Sequence, residues 1–164
     1  MFREATVADL PALTDLEREA NLAALGHVFP PDRFPFPADD VLARWALVLD
    51  EPGVHVLVRD AEPARGASRI DLLAAYDATT LRHLAVHPDL WGQGLASSAI
   101  ETALHAMDAR GTTIAQLWCL EDNHRARRLY EYLGWRPTGS RRPAPWPPHP
   151  TEMRYTRLIP QSER

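Results

Sequence analysis

The stretch Leu84-Ala-Val-His-Pro-Asp-Leu-Trp-Gly-Gln-Gly-Leu-Ala96 decides how this chain is read. An apolar run closes at Val86, Pro88-Asp89 signals a turn, and Gly92 and Gly94 open a helical pattern. Strand, glycine-bearing loop and helix N-terminus together build an anion site. Glycine lets the backbone approach a ligand, loop N–H groups converge, and the helix dipole favours negative charge. A phosphate or pyrophosphate is the natural occupant, and a glycine-loosened loop before an ordinary helix is the plainer alternative. The dinucleotide fingerprint G-x-G-x-x-G does not fit, because its third glycine is Ser97 here and no ribose-binding acid follows on a next strand. No Gly-Lys-Ser or Gly-Lys-Thr occurs, which excludes a P-loop.

Outward from that stretch, strands and helices alternate. Phe2–Ala5 reads as a short strand, and Thr6-x-x-Asp9 as the cap of a helix carrying Leu10, Leu13, Leu16 and Ala20. The proline-aromatic run Phe29–Pro37 stops it. Asp39 or Asp40 then opens a second helix with Val41, Leu42, Trp45, Val48 and Leu49 on one face. Strands are predicted over Val54–Val58, Ile70–Tyr76, Thr80–Val86 and Thr151–Ile159, a buried strand over Thr113–Leu120, and a loop over Glu62–Ser68. A helix from about Gly94 to Ala109 carries Ala96, Ile100, Ala103, Leu104 and Met107, and Gly111 ends it.

Composition narrows the function classes. A chain of 164 residues, 45% apolar and 24% charged, suggests one globular domain spanning 1–164. The net charge of −4, with no basic stripe, argues against a nucleic-acid partner. Cys119 is the one cysteine, which excludes an intramolecular disulfide framework and a multi-cysteine zinc site; no metal is expected. The absence of a long apolar run or a signal-peptide pattern predicts a cytoplasmic protein with no membrane partner.

A second signal lies further on. Asn123 is a good N-cap, Ala126, Leu129, Tyr130 and Leu133 repeat at helical spacing, and Gly134 stops the helix. Taken together, Val86–Ala96 and Asn123–Trp135 resemble the GCN5-related N-acetyltransferase family. Its acetyl-CoA signature is V-x-P-x-x-R/Q-x-x-G-x-G/A, matched here by Val86, Pro88, Gly94 and Ala96, with Trp91 departing from the usual Arg or Gln. The second segment, N-x-x-A-x-x-x-Y-E-x-x-G-W, is similar to the family's helix that presents a tyrosine to the cofactor sulfur.

The resemblance implies an α/β (α+β) fold: a mixed central sheet of six to seven strands, splayed at the acetyl-CoA site, with about four helices. It implies transfer of an acetyl group from acetyl-CoA to a primary amine by direct attack in a ternary complex. The pantetheine would pair with backbone near Leu84, Ala85 and Val86, and the pyrophosphate with Trp91, Gly92, Gln93, Gly94, Leu95 and Ala96, Asn123 adding a contact to its cap. The Val86 N–H would meet the developing oxyanion. Tyr130 is the expected general acid for the leaving thiolate, or else a core aromatic. Glu121 and His83 are candidates to take the amine's proton, against plainer readings as a solvated loop carboxylate and a partly buried, hydrogen-bonded histidine. A covalent role for Cys119 is rejected, since no histidine stands at useful spacing. Arg125, Arg127 and Arg128 are phosphate contacts or a wet helix face.

Prolines cluster with aromatics in two places that correspond, in the family, to walls of the acceptor pocket. Pro30, Pro31, Pro35 and Pro37 interleave with Phe29, Phe34 and Phe36; Pro143, Pro145, Pro147, Pro148 and Pro150 surround Trp146 and His149. Stiff loops with aromatics would wall a defined apolar pocket, so Phe34, Phe36 and Trp146 are expected to touch a small-molecule amine. The alternative is that they anchor long loops or cover a homodimer surface. Modification of a protein N-terminus or lysine, and an acyl-CoA-binding regulatory module without turnover, remain the competing functions.

Overall fold

A computed structural model describes residues 1–62 and 70–161. Seven strands form one mixed sheet: β1 (Arg3–Glu4), β2 (His55–Asp60), β3 (Ile70–Tyr76), β4 (Thr80–Val86), β5 (Ile114–Leu120), β6 (Arg136–Pro143) and β7 (Thr151–Leu158). Their order is β1-β2-β3-β4-β5-β7-β6, antiparallel throughout except for the parallel β4–β5 pair. Four helices accompany it: α1 (Leu10–Leu25), α2 (Ala38–Asp50), α3 (Leu95–Asp108) and α4 (His124–Tyr132). From residue 63 on, the loop expected over Glu62–Ser68 lies outside the described residues.

Local chemistry explains where α1 and α4 begin. The Asp9 carboxylate accepts from the Thr6 N–H at 2.8 Å, and a short 3-10 turn, Val7–Asp9, feeds α1. Arg3 clamps the same carboxylate and holds it down at about 2, well below the ordinary range. Asn123 Oδ1 accepts from the Ala126 N–H at 3.2 Å and caps α4.

Helices on both faces bury the sheet, and β3, covered on both sides, has every residue buried. On one face Leu13 and Leu16 of α1 and Val41, Trp45 and Val48 of α2 pack over Val56, Val58, Ile70 and Leu73. On the other, Ile100, Leu104 and Met107 of α3 meet Leu117, Trp135 and Tyr155. Truncating Leu16 or Ile100, both 0% exposed, would cost about 2–5 kcal/mol. β5 is buried on alternate residues only, at Ala115, Leu117 and Cys119, rather than throughout. β6 has no counterpart in the predicted strands. It is an edge strand exposed along its whole length, so it carries no apolar alternation to betray it.

Candidate active site

The parallel strands β4 and β5 pair only where they begin, Thr80 opposite Gln116 and Leu81 opposite Leu117. At that point β4 bulges against β3: Tyr76 faces Leu81 while Ala75 faces His83, leaving Arg82 as the extra residue. Beyond the bulge β4 stays with β3 and parts from β5. The His87 N–H donates to the Asp71 carbonyl at 2.8 Å, which makes Leu72–Val86 a non-hydrogen-bonded pair. By the alternation of an antiparallel ladder, Ala74–Leu84 is another. The N–H and C=O groups of Leu84 and Val86 therefore point away from β3, into the opening that β5 leaves.

The loop after β4 closes one end of that opening. Gly92 and Gly94 have φ of 80° and 79°, a left-handed backbone that other residues adopt at a cost, and a Cβ added at either meets nothing within 4 Å. Gly94 is the N-cap of the fourteen-residue α3, whose N-terminal N–H groups face the same space. Trp91 Nε1 donates to the Val86 carbonyl at 2.9 Å and fixes the loop to the end of β4. From α4 the Arg125 guanidinium stacks 4.0 Å from the centre of the Trp91 ring. Neither Arg125 nor Arg128 has an ion-pair partner among the described residues.

These elements enclose a groove of about 670 Å³. Of the predicted cofactor contacts, Leu84, Ala85, Val86, Trp91, Gly92, Gly94, Leu95, Ala96 and Asn123 line it, together with Tyr130; Gln93 does not. Tyr130 is 8% exposed, its ring among Trp135 and Tyr155, and nothing among the described residues hydrogen-bonds its hydroxyl. Burial, helped by nearby Cys119, pushes its phenol above the ordinary range, so it stays protonated at any physiological pH. Cys119 is itself buried and its thiol is pushed up to about 12, which keeps it a thiol and a poor nucleophile.

A second cavity, of about 570 Å³, adjoins the first. Phe29, Phe34 and Phe36 from the α1–α2 connection and Trp146 from the β6–β7 loop wall it, with Glu17, Asp40, Glu152 and Arg33 as its charged groups. Asn21 and Leu25 of α1 line both spaces, so the two cavities share an edge along that helix. Both volumes lie in the range of small-molecule sites, about 300–1,000 Å³. The α1 contribution was invisible in the sequence, where the helix reads only as a buried amphipathic stripe.

Glu121 and His83 line neither cavity. Glu121 accepts from Arg141 Nε at 3.3 Å, its carboxylate turned toward β6. His83 packs against Trp45, ring centres 4.9 Å apart, and burial, then Arg44 and Arg82, push it down to about 3. At neutral pH it is an uncharged imidazole of low basicity. No described group of three or more His, Cys, Asp or Glu side chains could hold a metal ion, and no described helix is long and apolar enough to cross a membrane.

A helix-covered mixed sheet whose parallel strands splay beside a glycine loop and helix N-terminus defines a class that known proteins share. The acetyltransferase (GNAT) family pattern matches residues 12–135, and the chain belongs to that family. Over 129 residues it is 31% identical to mycothiol acetyltransferase from Beutenbergia cavernae, a match that covers 76% of this chain and 43% of that protein. The matched part thus spans less than half the length of that relative. Among solved structures, a GCN5-related N-acetyltransferase from Rhodopseudomonas palustris superposes with a TM-score of 0.76 at 17% identity, covering 97% of this chain and 95% of the other. The PaiA N-acetyltransferase from Thermoplasma acidophilum, in complex with coenzyme A, gives 0.69 at 12% identity, with 96% and 98% covered.

Proposed function

We propose that the protein is an acetyl-CoA-dependent N-acetyltransferase that acetylates a small primary amine by direct attack within a ternary complex. The observation that carries this reading is the shared edge at Asn21 and Leu25, where a groove shaped for a phosphate-bearing, amide-bearing ligand meets an aromatic-walled cavity. Two substrates held in adjoining spaces need no covalent relay, and proximity alone removes much of the entropic barrier.

The groove fits acetyl-CoA group by group. The outward N–H and C=O groups of Leu84 and the Val86 N–H pair with pantetheine amides as a neighbouring strand would. Gly92, Gly94 and the start of α3 receive the pyrophosphate. Trp91 stands where this family usually has Arg or Gln, and Arg125, stacked on that indole, supplies the missing positive charge. The acceptor first gives its ammonium proton to solvent; the free amine nitrogen then attacks the acetyl carbonyl carbon as the carbon–sulfur bond breaks, and the Val86 N–H meets the carbonyl oxygen as negative charge builds there. Tyr130 donates its hydroxyl proton to the departing sulfur. Burial keeps the phenol protonated until then, and the proton shed by nitrogen restores it.

Thiol release measured with acetyl-CoA over a panel of small primary amines, beside a panel of peptides with free N-termini and lysines, tests the reading. Amine-dependent release with small amines is expected. Release with peptides alone would make the protein a protein acetyltransferase, and binding of acetyl-CoA without release over either panel would make it a binding module.

A further inference from the structure

Glu17 faces the aromatic cavity and was not singled out by any motif. Its Oε2 accepts from Arg44 Nη2 and, at 2.7 Å, from Trp45 Nε1, so the carboxylate is locked in place. Nothing among the described residues donates to Oε1. The side chain is 15% exposed, and the residue lines the cavity, so this is a held carboxylate with an unused acceptor oxygen at the cavity's edge. Asn21 and Leu25 follow Glu17 at i+4 and i+8 on the same face of α1. Along the helix axis Glu17 therefore sits about one turn, ~5.4 Å, from the start of the edge shared with the groove.

The surroundings specify what would bind there. The lining residues carry three carboxylates, Glu17, Asp40 and Glu152, against the single guanidinium of Arg33; Arg44 engages Glu17 at 2.5 Å and Arg142 engages Glu152 at 2.7 Å, each through one carboxylate oxygen. Carboxylates beside aromatic faces favour a cation. The remaining carboxylate, Asp40, is exposed and rewards a second charge little, whereas a ring or branched alkyl body gains from burial against the aromatic wall.

We propose that Glu17 Oε1 receives the ammonium group of a primary amine that carries one positive charge and an apolar body, and thereby sets acceptor choice. This rests on the acetyltransfer reading above. Glu17 is a positioning residue: it draws the cationic acceptor to the shared edge, and it acts on acceptor affinity rather than on the bond-making step.

The test compares wild type with Glu17→Gln, which keeps an oxygen for Trp45 while removing the charge. The substrates are phenethylamine, spermidine and a lysine peptide, and the uncharged 2-phenylethanol serves as competitive inhibitor. Wild type is expected to prefer phenethylamine. Glu17→Gln is expected to raise its KM about 10- to 100-fold, the loss of a charged hydrogen bond, with a smaller change in kcat. The inhibition constant of the alcohol and the thermal shift given by acetyl-CoA should stay put. If wild type releases thiol with none of the three, the acetyltransfer reading itself falls. If it releases thiol but prefers spermidine or the peptide, or if Glu17→Gln leaves KM within twofold or weakens the alcohol in parallel, only the present inference falls. Should Glu17→Gln fail to fold, the wild-type preference and the affinity gap between phenethylamine and 2-phenylethanol still decide it.

Discussion

The groove and the aromatic cavity that meets it are written in different parts of the chain's chemistry. The groove is made mostly of backbone: two outward-facing residues of β4, a loop with two left-handed glycines, and the first turn of α3. That backbone lies in one short run, residues 84–97, with side chains of α1 and α4 added along its sides. The cavity is made of side chains that no short segment contains: Glu17 and Asn21 on α1, three phenylalanines in the α1–α2 connection, Val41 on α2, and Trp146 in the β6–β7 loop. Backbone geometry tolerates few alternatives, so the groove can hold one kind of ligand throughout a family. A wall of side chains changes by single substitutions, so the cavity can be particular to this chain.

That contrast breaks most sharply at Gly94. In Gly94→Glu a carboxylate would occupy the place proposed for the pyrophosphate, and binding of acetyl-CoA should vanish. Wild type should gain about 2.7 kcal/mol at a hundredfold excess over Kd, visible as a thermal shift of several degrees. Gly94→Ala, which strains the left-handed backbone without adding charge, should weaken binding less. Retained binding in Gly94→Glu would remove the loop from the ligand site.

Next in size is Tyr130→Phe. It removes one hydroxyl that has no partner among the described residues, so folding and acetyl-CoA affinity should hold while kcat drops about 10²–10⁴-fold. An unchanged kcat would leave Tyr130 as a core aromatic between Trp135 and Tyr155. On the cavity side, Trp146→Ala should raise KM for the amine about tenfold and leave acetyl-CoA affinity alone, the reverse split from Gly94→Glu. If light scattering instead shows a dimer lost with amine kinetics untouched, the tryptophan serves assembly. Arg125→Ala should weaken acetyl-CoA about tenfold with the amine KM unaffected, and unchanged binding would return Arg125 to the solvent face of α4.

The smallest effect concerns stability. His83 titrates at about 3 in the fold against 6.5 in the unfolded chain, so between those values the unfolded state binds more protons. Its contribution is complete above about pH 6.5 and is lost as pH falls toward 3. Asp9, held at about 2, adds to the loss only below about pH 4. Thermal unfolding followed from pH 7 to pH 4.5 should show a decline in Tm that His83→Asn reduces. Equal declines in both would mean His83 is open to solvent in the fold.

The same contrast explains what the sequence disclosed. The alternating elements, the strands from β2 to β5 and both glycine stops were legible because periodicity and turn chemistry are local. β6 was not, because an edge strand exposed on both faces has no apolar pattern to read. Tyr130, Asn123 and the β4 residues come together along one groove because their motifs travel with the elements that hold them. Glu121 and His83 look equally suitable in sequence, yet one turns to Arg141 and the other packs under α2 against Trp45. Which way a side chain leaves a strand next to a bulge depends on the bulge, and Arg82 gives no local sign of one. Glu17 was hidden for a related reason: it reaches the aromatic cavity only through the packing of α1 against α2.

The central claim is that two substrates occupy adjoining spaces at once and react directly. Initial velocities with acetyl-CoA and a turned-over amine both varied measure this most plainly. The account predicts double-reciprocal lines that intersect, with no acetylated protein when acetyl-CoA is supplied alone; parallel lines, or an acetyl group carried on Cys119, would contradict it.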